Sequence, residues 1–306
     1  MPEFELLPQR LSAIMSAIES APGPVQVVVP DAGGAESVIA AAQACGVPLS
    51  DARGAHRERA VHEVSSGLSR GYVTTSEWSF PDAGTVLTLG DVLPGRDRAR
   101  EARIGALLHE RWRAGVDLPA LGAWPSGSRL PSASRLLPGK ALADRRDIGL
   151  GEDVAACVDG RDGSFPLALR TPCADFFSAW QQVRGRTRVE AVVTAPHPSH
   201  PVMTAHLAVG IAAILSARYA GELAGNVPPP GAEEPGERVR RLAGQLRLNP
   251  ALVDVSQVAG RHVLLVGLSW AEGWTMTVSG QLLLSAGARS VRPFTLSSDS
   301  RRARRR

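Results

Sequence analysis

Along residues 5–20 apolar side chains recur at Leu6, Leu7, Leu11, Ile14, Met15 and Ile18. Spacing of three to four residues predicts a helix with one buried face. Pro22-Gly23-Pro24 breaks it, and Val25-Gln26-Val27-Val28-Val29 follows, a β-branched run that reads as a buried parallel strand. Pro30-Asp31-Ala32-Gly33-Gly34 then leads into an alanine-rich helix over 35–45, with Gly46 as its stop. The alternation continues with a helix over 57–68, strands over 71–75 and 85–89, and a helix over 96–114 carrying Ile104, Leu107, Leu108 and Trp112 on one face. Strand, loop and helix in repetition are the unit of an open α/β sheet.

Pro119, Pro125, Pro131 and Pro138 interrupt any regular element over 119–150, which reads as a linker or an extended wrapping segment. A second block then predicts a helix over 176–183, a strand over 189–193, a long helix over 202–219, a loop at Val227-Pro228-Pro229-Pro230-Gly231 and a short basic helix over 237–246. A strand over 263–266, a helix over 275–286 and a last strand over 291–296 complete it. The expected fold class is α/β, with two open, mainly parallel modules: an α/β domain over 1–118, a Pro-rich linker over 119–150, a second domain over 151–298 and a basic tail over 299–306. The length of 306 residues suits two domains.

Composition narrows the class. Apolar residues are 44% and charged residues 21%, which excludes disorder along the whole chain. Cys45, Cys157 and Cys173 are odd in number and far apart, so they suggest neither a disulfide framework nor a zinc site but a reducing, cytoplasmic setting. No apolar run reaches the roughly 18 residues of a membrane span, and the acidic start Met1-Pro2-Glu3 is unlike a secretory signal. The expectation is a soluble protein with no membrane partner. The net charge is +4, and removing the five arginines Arg301, Arg302, Arg304, Arg305 and Arg306 would take it to −1. Basicity is therefore a property of the tail. Those arginines are candidates for contacts with a DNA backbone, against the plainer reading of a solvated tail.

Candidate chemistry is sparse. A phosphate-cradling P-loop needs GxxxxGK[ST], and the one Gly-Lys pair, Gly139-Lys140, is followed by Ala141 and lacks the upstream glycine. Asp31-Ala32-Gly33-Gly34 stands at a strand-to-helix turn where backbone NH groups bind anions, although many such loops hold nothing. His197, His200 and His206 cluster around three prolines, but the acids nearest in sequence are Glu190 and Glu222, so a catalytic metal set is incomplete. No metal, cofactor or catalytic residue is expected. The segment Val263-Leu264-Leu265-Val266-Gly267-Leu268-Ser269-Trp270-Ala271-Glu272-Gly273-Trp274-Thr275 is more informative: an apolar strand, a short loop, then Gly and Thr opening a helix. A turn and helix N-terminus there make Ala271, Glu272, Gly273, Trp274 and Thr275 candidates for holding phosphate.

That segment resembles the type I phosphoribosyltransferase signature. In that family two acids after the strand hold ribose hydroxyls and the loop holds a 5′-phosphate; here Gly267 and Leu268 stand in the acid positions. The resemblance therefore implies a degenerate active site. More broadly, the C-terminal half resembles the phosphoribosyltransferase-like region that closes actinobacterial RecQ-family DNA helicases. The matching stretches are Trp124-Pro125-Ser126-Gly127, residues 141–151, Val192-Val193-Thr194-Ala195-Pro196, Gly273-Trp274-Thr275-Met276-Thr277-Val278, Ala286-Gly287-Ala288 and Pro293-Phe294. Residues 22–95 are similar to a degenerate second RecA-like lobe through Val25–Val29 and Tyr72-Val73-Thr74-Thr75-Ser76, without its arginine-finger pattern; a generic α/β domain accounts for them equally. The resemblance implies a non-catalytic accessory or DNA-binding protein of repair or recombination, partnered by DNA or by a helicase or repair protein and lacking the motor. The alternatives are a phosphoribosyltransferase-like enzyme with a phosphoribosyl or nucleotide ligand, and a structural or regulatory protein with no ligand.

Overall fold

The computed structural model describes residues 3–29, 32–53, 56–75, 83, 85–88, 97–183, 187–227 and 233–299. The Arg301–Arg306 tail, Asp31 and the 228–231 loop lie outside the described residues. The chain divides into two compact units, residues 1–111 with 146–153, and residues 112–145 with 154–306.

The first unit opens with α1 (Glu3–Ser20), β1 (Val25–Val29) and α2 (Ala32–Cys45), followed by β2 (Ser50–Asp51), α3 (Arg57–Ser65), β3 (Gly71–Thr75), β4 (Thr85–Thr88) and α4 (Arg98–Ala114). Its four strands lie in the order β2-β3-β1-β4, with every neighbouring pair parallel. The inner strand β1 has Val25, Val27 and Val29 fully buried, which accounts for the four valines among its five residues. On α1 the stripe Leu7, Leu11, Ile14, Met15 and Ile18 is buried as its spacing requires.

The second unit contains β5 (Val116–Leu118), β6 (Gly139–Asp144), α5 (Leu150–Asp159, its first turn grouped with the first unit), α6 (Leu167–Gln182), β7 (Ala191–Thr194) and α7 (Pro201–Leu215). It continues with β8 (Arg218–Glu222), α8 (Pro235–Gln245), β9 (His262–Trp270), α9 (Trp274–Ser285) and β10 (Ser290–Ser298). The sheet order is β5-β6-β10-β9-β7-β8. Only β5, at the edge, pairs antiparallel among the described strands. Both sheets are thus open and mainly parallel. Phe176 and Phe177 of α6, themselves packed against Trp180, meet Phe294 of β10, whose ring centroid is 5.4 Å from Phe176 and 4.7 Å from Phe177. Such ring pairs contribute about 0.5–1.5 kcal/mol each beyond the area they bury.

Two expectations are corrected. Residues 119–150 are not a bare linker: β6 is an inner strand paired with β10 (Phe294↔Lys140, Thr295↔Ala141), and Leu130 and Leu136 are buried. Pro131 and Pro138 precede the strand and leave its ladder intact. The helix expected over 202–219 stops at Leu215, where Ser216 adopts a left-handed φ of 50°, and Arg218–Glu222 forms the edge strand β8. Among the described residues no helix is long and apolar enough to cross a membrane.

Candidate functional site

The connections of the second unit fix where a ligand would sit. From β7 the chain passes through α7 to β8 on one side; from β9 it passes through α9 to β10 on the other. Since β7 and β9 are neighbours (Thr194↔Val266), the chain diverges between them. In open α/β sheets such a switch point leaves a crevice beyond the carboxyl ends of the strands. A cavity of about 360 Å³ lies there, walled by the β7–α7 loop from Ala195 to His200 and by Gly267–Met276 from the other strand and its loop. Arg145 and Asp299, just beyond β6 and β10, and Arg238 of α8 also reach it.

All five phosphate candidates, Ala271, Glu272, Gly273, Trp274 and Thr275, fall on this one wall. Gly273 caps α9 with φ 81°, and a β-carbon on it would stand 2.4 Å from the Trp270 ring. Only glycine fits both the left-handed backbone and the space. Without a side chain it offers no acceptor to the first-turn NH groups, and that turn contains no acid. The hydroxyl and NH of Thr277 both donate to Gly273 O at 2.9 Å, holding the turn closed. Trp274 is buried and stacks on Trp124 at 6.2 Å.

The other helix entering the crevice is closed by the protein itself. The NH groups of Val202 and Met203 donate to Asp162 at 3.1 and 3.0 Å, so a carboxylate already occupies the N-terminus of α7. Desolvation by the surrounding chain opposes the charge of the exposed Asp162, but the NH groups of Met203, Val202 and Gly163 outweigh that and hold its carboxyl below the ordinary range. On the cavity wall, in the loop that enters α7, stand His197 and His200, with ring centroids 5.0 Å apart. Burial, reinforced by neighbouring His200 and opposed by Asp162, lowers His197 to about 4, so it is neutral at pH 7. His206 is elsewhere engaged, its Nδ1 accepting from Phe165 N at 3.1 Å.

The positions that the resemblance assigns to acids lie inside the sheet. β9 stays paired with β10 as far as Trp270↔Ser298. Leu268 is 1% exposed, and a β-carbon on Gly267 would stand 3.0 Å from Met276 Sδ. The cavity therefore has backbone donors at α9 but no paired carboxylates on the strand. Positive charge comes from Arg145, ion-paired with Asp159, and from Arg238, 7% exposed and 3.0 Å from Glu233. Among the described residues no group of three His, Cys, Asp or Glu side chains is placed to hold a metal ion. The Ala32-Gly33-Gly34 turn belongs to the first turns of α2, where Arg111 donates to Gly33 O at 3.5 Å and Ser37 Oγ at 2.7 Å.

Sequence reasoning missed Asp162, Arg145, Arg238 and Asp299. Asp162 caps a helix forty residues further on, and Arg238 reads as one charge on a solvated helix; neither leaves a local signal. No protein-family model matches this sequence, and comparison with the curated proteins finds no match.

Proposed function

We propose that this chain is a non-catalytic accessory protein whose second unit holds a phosphate-bearing ligand, a phosphoribosyl or nucleotide group, in the crevice between β7 and β9. The observation that carries the reading is the uncapped N-terminus of α9 at the switch point, beside a strand end that has Gly267 and Leu268 in place of acids. Backbone donors and the helix dipole suit a phosphate. Without the acid pair, ribose would not be held for transfer to a nucleophile, so binding is favoured over phosphoribosyl transfer.

The assignment to DNA repair or recombination, beside a helicase or other repair protein, rests on the resemblance through Gly273–Val278 and on the terminal arginines. DNA is then the polyanion that Arg301, Arg302, Arg304, Arg305 and Arg306 would touch. Two titrations test the two parts. Calorimetry with phosphoribosyl pyrophosphate, with magnesium and with a chelator, should give saturable binding in both; a flat titration contradicts the crevice reading. Fluorescence anisotropy with labelled single- and double-stranded DNA should show affinity that falls with salt and weakens on deleting residues 301–306. Affinity unchanged by that deletion contradicts the tail's role.

A further inference from the structure

Resting on the reading of the crevice as a phosphate site and of the terminal arginines as contacts for DNA, we propose that the two are one site, whose ligand is the end of a nucleic-acid strand bearing a terminal phosphate. The cavity takes the terminal phosphate, and residues 301–306 follow the internal phosphates that lead away from it.

The carboxyl end of β10 ties the two together. Asp299 lines the cavity, and its NH donates to Trp270 O at 2.9 Å, which fixes the end of the described chain beside the loop that enters α9. Only Ser300 separates Asp299 from Arg301. A fully extended chain advances at most about 3.6 Å per residue, so Arg301 lies within about 7 Å of Asp299 and Arg306 within about 25 Å. Arg301, Arg302, Arg304, Arg305 and Arg306 are therefore tethered at the crevice.

The charges of the cavity show what the tether adds. Its lining carries two arginines, Arg145 and Arg238, and two carboxylates, Glu272 and Asp299, which cancel. Both arginines also have acidic partners of their own, Asp159 and Glu233. A phosphate monoester carries a charge of about −1.5 to −2, against roughly +0.5 at a helix N-terminus. The lining thus supplies amide donors and shape but no net positive side-chain charge; the arginines beyond Asp299 supply the charge.

Size and valence then select the ligand. About 360 Å³ is at the small end of cavities that enclose a whole ligand, room for one terminal nucleotide rather than for a duplex. Five arginines exceed what one monoester requires and suit a row of phosphates, each bearing one negative charge. A strand end offers both, a terminal monoester and a line of diesters behind it. Strands phosphorylated at the 5′ or at the 3′ end share this chemistry.

The test is fluorescence anisotropy of the full chain, at two salt concentrations, with short single strands of DNA that differ only in a 5′-phosphate or 5′-hydroxyl, or in a 3′-phosphate or 3′-hydroxyl, each labelled at the opposite end. A phosphate at one of the two ends is expected to tighten binding about tenfold, the worth of one hydrogen bond to a charged group. Deleting residues 301–306 should weaken that complex and flatten its salt dependence. Ser269 is exposed on the cavity lining. Ser269→Glu puts a negative charge beside the phosphate and should erase the tenfold difference while hydroxyl-ended strands bind as before; Ser269→Gln should keep the difference. Thermal melting establishes that each variant is folded. Equal affinity for phosphate and hydroxyl ends, or a difference that survives Ser269→Glu, overturns the joint site and leaves the tail's contact with DNA intact. A phosphorylated strand held equally well after the deletion overturns it too. If no strand binds, the DNA reading fails and the joint site with it, whereas binding of inorganic phosphate by the same chain decides the crevice reading separately.

Discussion

Two helices point their N-termini at one crevice, and the chain treats them oppositely. At α7 a carboxylate of the protein, Asp162, accepts from Val202 and Met203; at α9 the cap is Gly273, which has no side chain to accept with. Both ends carry the same partial positive charge and the same orphan amides. What differs is the cap: α7 is given the protein's own anion, and α9 is given a residue with no side chain. The pair also separates two meanings of a polar loop: the histidine loop of α7 is held by an internal cap, whereas the loop of α9 is held by packing against Trp270 and by the return bonds of Thr277.

The largest effect should come from forcing a side chain onto the open cap. Gly273→Val meets the Trp270 ring and a left-handed backbone at once, and is expected to cost about 3 kcal/mol or more in chemical denaturation, together with phosphate binding. Near-wild-type stability would mean that the cap geometry is not required.

Next comes pH. His197 is held at about 4 in the folded state against the usual 6.5, so between those values the unfolded chain binds the extra proton. The neutral ring's contribution is complete above about pH 6.5, is lost as pH falls toward 4, and changes no further below that. Allowing for the ring's partial exposure, the loss is about 2 kcal/mol. Urea midpoints measured from pH 7 to 4 should fall, and less so in His197→Gln; identical slopes in both proteins would remove His197 as the cause.

Asp162→Ala should cost about 1 kcal/mol as a lost cap. It should also uncover the Val202 and Met203 amides and give the variant a second, weaker phosphate equivalent by calorimetry; unchanged stoichiometry would argue that capping alone does not separate the helices. The smallest effect is expected from Trp124→Leu. It removes the ring stacked on Trp274 and should lower stability by about 0.5–1 kcal/mol, read from the melting temperature.

Legibility in the sequence followed the strength of local signals. Val25–Val29 and Gly71–Thr75 have the boundaries expected of them, because β-branched runs end in Pro, Gly or Ser. β6 escaped because Lys140-Ala141-Leu142-Ala143 is alanine-rich and follows four prolines, so its strand character comes from pairing with β10 rather than propensity. β8 was absorbed into the preceding helix because Ala217, Tyr219 and Ala220 continue its apolar spacing, and the left-handed Ser216 has no sequence signature. At the crevice, Ala271–Thr275 was legible because strand, loop and helix follow each other without a gap. Asp162 and Arg238 were not, because their roles depend on partners brought together by the fold. Nor did sequence reveal how β9 runs on through Trp270, which places Gly267 and Leu268 inside the sheet.

The asymmetry between the two helices is most directly tested by backbone amide NMR of the full chain titrated with inorganic phosphate. Saturable shifts at Trp274, Thr275 and Met276, with Val202 and Met203 unmoved, are the expected result. Shifts at Val202 and Met203, or none at the start of α9, would contradict the claim that the crevice keeps one helix end closed and the other open for a ligand.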